Sequence, residues 1–143
     1  MNIGIKRFDK SLPLPEYKSA GAAAFDASAR VTVTIPALTV GYVPLNFALQ
    51  LPESHWALLA ARSSLHKRGL SMANGIGVGD SDYRGDDDEY RAALFNFTDQ
   101  PVTVERGDRI VQVVILQREK VEFTEHEKFA APNRGGFGST GQQ

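Results

Sequence analysis

Val31-Thr32-Val33-Thr34-Ile35 alternates apolar and hydroxyl side chains without a break. Successive side chains of a strand point to opposite faces, so this period of two puts Val31, Val33 and Ile35 on a core face and the threonines toward water. Working outward, Val40–Leu51, Trp56–Ala61, Arg91–Phe97, Val102–Val104 and Arg109–Leu116 read as further strands, punctuated by Pro36, Pro52, Gly69, Pro101 and Gly107. Only Ser63–Arg68 has helical character: Ser63 or Ser64 can cap the first amides, and Gly69 can take the left-handed position that ends a helix. Many short strands with one short helix predict an all-β jelly roll, sandwich or barrel, among which periodicity does not choose.

The length of 143 residues suits one core. A hydrophobic fraction of 42% and a charged fraction of 23% are those of a globular chain. Sixteen Lys and Arg against seventeen Asp and Glu leave a net charge of −1, so there is no electrostatic footprint for a nucleic-acid partner and any phosphate binding must be local. No cysteine is present, which excludes disulfides, thiolate metal sites and a cysteine nucleophile. No apolar run is long enough to span a bilayer, and Met1–Lys6 leads into no signal-peptide core, so no membrane partner and a cytoplasmic location are expected.

Three segments carry chemistry. Asn74-Gly75-Ile76-Gly77-Val78-Gly79-Asp80-Ser81-Asp82-Tyr83-Arg84-Gly85 sets acids and an aromatic ring among glycines that permit close backbone approach. A tight hairpin there would form a pocket; read alone, a β-turn with solvated aspartates fits equally well. Arg62-Ser63-Ser64-Leu65 joins a guanidinium to hydroxyls where a helix begins, which suits phosphate, although a surface ion pair and a plain cap also explain it. Gln112 interrupts the apolar run Ile110–Leu116, where its amide needs partners or a wet cleft. Around these, Gly107-Asp108-Arg109 reads as a structural turn, and the acidic run Asp86–Glu89 as a solvated loop. His55, His66 and His126 lack metal-ligand spacing, and Ser63 lacks a His–Asp partner pattern.

The final stretch, 130–143, holds Pro132, four glycines and few large apolar groups, and is expected as a flexible glycine-rich arm beyond a β domain spanning 1–129. Within it, Arg134, Phe137, Gly138, Ser139 and Thr140 offer a cation, an aromatic plate, backbone amides and hydroxyls to an anionic ligand with a flat base.

Taken in order, these segments resemble the five motifs of the trimeric dUTPase family, over about Ala22 to Gly141: Ala24-Phe25-Asp26-Ala27, Arg62-Ser63-Ser64-Leu65, Asn74 through Gly85, Gly107 through Gln112, and Phe137 through Gly141. The resemblance implies a jelly roll assembled as a homotrimer whose active sites are shared between subunits. It implies hydrolysis of dUTP to dUMP and pyrophosphate, which limits uracil incorporation into DNA and supplies dUMP for dTMP synthesis. Asp80 would be the general base for water attacking the α-phosphorus. Asn74 and backbone around Gly77 would pair with uracil, and Tyr83 would stack on the deoxyribose. Arg62, Ser63, Ser64 and Gln112 would hold the phosphates around Mg2+, which Asp26 would reach through water. The arm would fold over the substrate, with Phe137 on uracil and Arg134, Ser139 and Thr140 at the γ-phosphate.

Three positions depart from the family pattern: Gly79 stands where a branched apolar residue precedes the acid, the loop Asp86–Tyr90 is longer, and Arg134 lies closer to Phe137 than the usual fifth-motif arginine. The weighed alternatives are a dCTP deaminase-like enzyme, which needs a hairpin glutamate where this chain has Asp80-Ser81-Asp82-Tyr83, and a catalytically silent nucleotide-binding regulatory protein.

Overall fold

The computed structural model describes residues 1–138 and Gly141. Eleven strands run through them: β1 (Gly4–Arg7), β2 (Phe25–Ser28), β3 (Val33–Ile35), β4 (Val40–Pro44), β5 (Phe47–Gln50), β6 (His55–Ala61), β7 (Leu70–Met72), β8 (Gly77–Gly79), β9 (Arg91–Asn96), β10 (Val102–Val104) and β11 (Arg109–Gln117). Every pairing is antiparallel. A four-stranded sheet in the order β2-β11-β6-β8 and a three-stranded sheet in the order β4-β9-β7 are joined by the pairs β1-β5 and β3-β10. Partners far apart in sequence, such as β2 with β11, make this a jelly-roll-like fold rather than a chain of local hairpins.

The core lies between the sheets. Ala27, Ala57, Leu59, Val111 and Val113 from the four-stranded sheet share it with Val43, Leu70, Met72, Ala92 and Leu94 from the three-stranded one. The Val31–Ile35 alternation holds in direction, with Ile35 buried, Val33 half-buried and Thr32 and Thr34 exposed, but Val31 lies ahead of the strand and in solvent. Because β6 alternates too, Trp56, Leu58 and Ala60 face outward. Leu58 sits opposite both Val78 and Val114, and Trp56 opposite Leu116, so the outer face carries a continuous apolar patch. Val78 and Leu116 on it are exposed.

Three expectations need correction. The helix at Ser63–Arg68 is a single 3₁₀ turn, Leu65–Arg68: Gly69 closes it with φ 79°, as expected, but Ser64 makes no side-chain cap bond. Val40–Leu51 is two strands, because Asn46 takes φ 74° between them, where its amide donates to Glu89 (2.9 Å) and its side chain bonds the backbone of Asp9. The acidic run is not wholly a solvated loop. Asp86 and Asp87 are exposed, but Glu89 is buried and receives both Nε and Nη2 of Arg30 at 2.7 and 3.0 Å. Gln112, whose amide needs partners, stands on β11 between β2 and β6, inside the sheet.

Regular structure ends at Gln117. The amide of Arg118 still donates to Ser54 and its Nε to Glu53, after which residues 119–135 are exposed.

Candidate active site

Register brings the first cluster together. Gln112 of β11 lies opposite Asp26 of β2 on one side and Ala60 of β6 on the other, so Asp26 and Gln112 share the sheet's outer face. Arg62 follows the end of β6, and its Nε approaches Asp26 Oδ1 at 3.2 Å while its Nη1 donates to the Arg109 carbonyl at 3.1 Å. Arg109 Nη1 donates to Asp26 Oδ2 at 3.0 Å. The Asp26 side chain is largely buried, at 16% exposure, and each of its oxygens holds a guanidinium. Gln112 Nε2 donates to the Ala61 carbonyl at 3.0 Å, which fixes its amide plane. Two cations around one carboxylate leave a local surplus of positive charge beside the exposed hydroxyls of Ser63 and Ser64. That suits an anion. Asp108, by contrast, belongs to the turn: burial pushes its carboxyl up, but Arg68 (2.7 Å) and the Glu105 amide together hold it below its ordinary value.

The second cluster is the hairpin. Gly75 bends the chain with φ 72°, and β8 returns along β6 with Gly77 opposite Leu59 and Gly79 opposite Ala57. A Cβ at Gly77 would meet the Leu59 side chain at 3.0 Å, so the missing side chain is what lets the hairpin lie close. Beneath it opens a cavity of about 380 Å³ lined by Asn74, Gly77, Val78, Gly79, Tyr83 and Tyr90 among others. Tyr83 donates its hydroxyl to the Glu89 carbonyl at 2.9 Å. Its ring is thereby tied to the buried Arg30–Glu89 pair and cannot swing freely. Asp80 does not line this cavity; it borders a neighbouring one with Trp56, Ser81, Asp82 and Arg118. It is exposed and enters no salt bridge among the described residues.

The two clusters sit at opposite ends of β6. The pairing Ala57↔Gly79 places Asp80 beside Trp56, whereas Arg62 lies six residues further along, a distance of about 20 Å in an extended strand. One chain therefore does not bring Asp80 and the guanidinium cluster to a common point. Nor does it bring the arm to either: Phe137 is fully exposed, Arg134 is exposed, and Ser139 and Thr140 lie outside the described residues.

Three residues enter the site that sequence reading passed over. Arg109, expected as part of a structural turn, completes the Asp26 cluster through a contact between residues 83 apart in sequence, which no local pattern signals. Glu89 and Tyr90, hidden at the end of an acidic run, anchor Tyr83 and floor the cavity.

A jelly roll that offers a ring-sized cavity under a glycine hairpin, an exposed carboxylate just past its returning strand and a guanidinium cluster beside serines is a domain equipped for a nucleotide. The dUTPase family model matches residues 10–141, and the chain belongs to that family. The deoxyuridine 5'-triphosphate nucleotidohydrolase of Dictyoglomus turgidum is 40% identical over 148 residues, covering 99% of each chain. The crystal structure of dUTPase from Streptococcus mutans superposes with a TM-score of 0.76 at 28% identity, covering 84% of this chain and 99% of that one. The dUTPase of Staphylococcus bacteriophage 80alpha, solved with dUPNHPP, gives a TM-score of 0.85 at 22% identity and covers 98% of both chains, a likeness of fold.

Proposed function

We propose that the protein is a dUTP diphosphatase: it hydrolyses dUTP to dUMP and pyrophosphate, as the names of its relatives indicate for them. The observation that carries this reading is the hairpin, which lines a cavity of nucleoside size and leads directly into Asp80, exposed at a neighbouring cavity and with no ionic partner among the described residues.

In this reading the uracil edge meets Asn74 and the backbone around Gly77, and the deoxyribose lies against Tyr83, whose ring would crowd a ribose 2′-hydroxyl. Asp80 accepts a proton from a water as that water's oxygen bonds to the α-phosphorus. The bond from α-phosphorus to the bridging oxygen breaks, and pyrophosphate leaves. Arg62, Ser63, Ser64 and Gln112 hold the phosphates in line for that displacement, and Asp26 keeps Arg62 and Arg109 aimed. Arg134, Phe137, Gly138, Ser139 and Thr140 close over the substrate and exclude solvent.

The donor set fits Mg2+ bound chiefly by substrate. Among the described residues no three carboxylates or imidazoles converge, and Mg2+ typically takes one or two carboxylates plus phosphate oxygens and waters. Asp26, reaching it through water, is the carboxylate this reading assigns, and the ion's part is to offset charge on the triphosphate oxygens.

The site is complete only in an assembly. With Asp80 and Arg62 at opposite ends of β6, the hairpin of one subunit must meet the guanidinium cluster of another, and the apolar outer face at Trp56, Leu58, Val78, Val114 and Leu116 is the surface such an assembly would bury. A homotrimer with shared sites, working in the cytoplasm, is the arrangement we adopt. No helix among the described residues is long and apolar enough to cross a membrane.

The test is release of pyrophosphate from dUTP, dCTP, dTTP and UTP, with and without Mg2+. Preference for dUTP with Mg2+ is expected. Ammonia released from dCTP would replace this reading with deamination, and no turnover of any nucleotide would leave only a binding protein.

A further inference from the structure

Glu89 is a junction. Its buried carboxylate accepts from Arg30 Nε at 2.7 Å and from the Asn46 amide at 2.9 Å on Oε2, and from Arg30 Nη2 at 3.0 Å on Oε1. Its carbonyl accepts from the Tyr83 hydroxyl at 2.9 Å. One residue thus joins the two-point grip of Arg30, 59 positions upstream, to the far end of the Tyr83 ring.

Each arm of this junction is itself held. Arg30 lies between β2 and β3, where its amide donates to the Pro44 carbonyl at 2.8 Å and its guanidinium stands 6.0 Å from the centre of the Phe8 ring. Asn46 is kept at φ 74° by two bonds to the Asp9 backbone, at 2.6 and 3.0 Å. On the cavity side, the Tyr83 ring leans on the buried Tyr90 ring, with centroids 5.7 Å apart and planes at 51°. An ion pair inside a protein adds little stability over apolar side chains of the same volume, but removing one partner leaves the other charge buried and unmatched. Here the segment that would then have to move is the one whose carbonyl anchors Tyr83.

We propose that Arg30 is a positioning residue for the choice of sugar: by fixing Glu89 it stiffens the Tyr83 ring, and the stiff ring turns a ribonucleotide away. The proposal rests on reading the hairpin cavity as the nucleoside site. Arg30 does not line that cavity, whereas Glu89 and Tyr83 do, so its influence on a nucleotide there passes through those two residues. A ring freed at its hydroxyl can tilt and make room for one more sugar hydroxyl. A deoxynucleotide gains nothing from that tilt, and a ribonucleotide gains entry.

The test is a double-mutant cycle on the full chain, read as the ratio of kcat/KM for UTP to kcat/KM for dUTP, with thermal melting alongside. Arg30→Lys keeps the charge and loses the fork, and the ratio should rise about tenfold through a lower KM for UTP, while kcat for dUTP holds. Tyr83→Phe keeps the ring and frees its far end, so it should raise the ratio by the same factor. The two together should raise it no further, because both cut one chain of contacts. Glu89→Gln, the same shape without the charge, should move the ratio in the same direction by less, and guards against a folding defect confined to position 30. A lower melting temperature with an unchanged ratio would make Arg30 structural only and overturn the proposal. A rise of about a hundredfold in the double variant would also overturn it, since the two residues would then act independently. If wild type turns over neither nucleotide, or both alike, the reading of the cavity fails and the proposal with it, an outcome distinct from the other two.

Discussion

The two ends of strand β6 present carboxylates of opposite character. At one end Asp26 is largely buried, and each of its oxygens is held by an arginine. At the other, Asp80 stands exposed with no ionic partner among the described residues. A carboxylate with a guanidinium on each oxygen is well placed to aim cations at an anion. An unpaired one just past the returning strand of a hairpin stands open to water instead. In the proposed reading, the same functional group thus divides into positioning and proton transfer according to its neighbours.

The sharpest way to break this comparison is Asp80→Asn, which keeps the shape and removes the base. Turnover of dUTP should fall about a thousandfold or more while affinity for a non-hydrolysable analogue holds, read by single-turnover kinetics and calorimetry. A drop in binding with little change in rate would reverse the roles of the two acids. At the other end, Arg62→Lys keeps the charge but loses the planar fork that touches both Asp26 and the Arg109 carbonyl. KM for dUTP should rise about tenfold to a hundredfold, as steady-state rates would reveal.

Mixing sharpens the comparison further. Asp80→Asn and Arg62→Ala chains, each nearly inactive, are unfolded together and refolded. If every site draws its hairpin and its arginine from different subunits, random assembly restores about a quarter of wild-type activity. Activity no greater than the sum of the parents would put both residues of a working site on one chain.

The smallest effect is alkaline. The Tyr90 phenol is raised by burial, then by Tyr83 and Asp80, from 10.0 to about 12. Above pH 10 the unfolded chain releases this proton while the folded one retains it, so the stabilising contribution is intact below pH 10 and is lost as pH rises toward 12. Relative to its own stability at pH 9, wild type should lose roughly 1 kcal/mol more than Tyr90→Phe by pH 11, measured by urea titration.

Much of the fold could be read from alternation, and the strands that could not be read share a cause. Gly4-Ile5-Lys6-Arg7 and Gly77-Val78-Gly79 carry too few apolar residues for a period, and they become strands only because Phe47–Gln50 and Ala57–Leu59 lie alongside. The break at Asn46 depends on Glu89, 43 residues away, so no local window contains it. In the candidate site, Asp26, Arg62, Gln112 and the hairpin stood out as motifs, and the structure groups the first three at one end of the sheet. Their separation from Asp80 was not legible, since spacing along a chain says nothing of which end of a strand a residue reaches. Tyr90 was hidden for a different reason: an aromatic just ahead of a strand looks like core, and only the structure shows its ring filling the space beside Gly79.

The loop after the hairpin closes on itself. The Gly85 amide donates to the Asp88 carboxylate at 2.7 Å and the Asp88 amide returns to the Gly85 carbonyl at 3.2 Å, so the clasp is complete without the side chains of Asp86 and Asp87. Extra residues between the two ends add a closure cost that grows only with the logarithm of their number. This makes 86–87 a natural graft point, where a peptide tag or a fluorophore-bearing segment can be carried while the buried Glu89 behind it keeps hold of Tyr83.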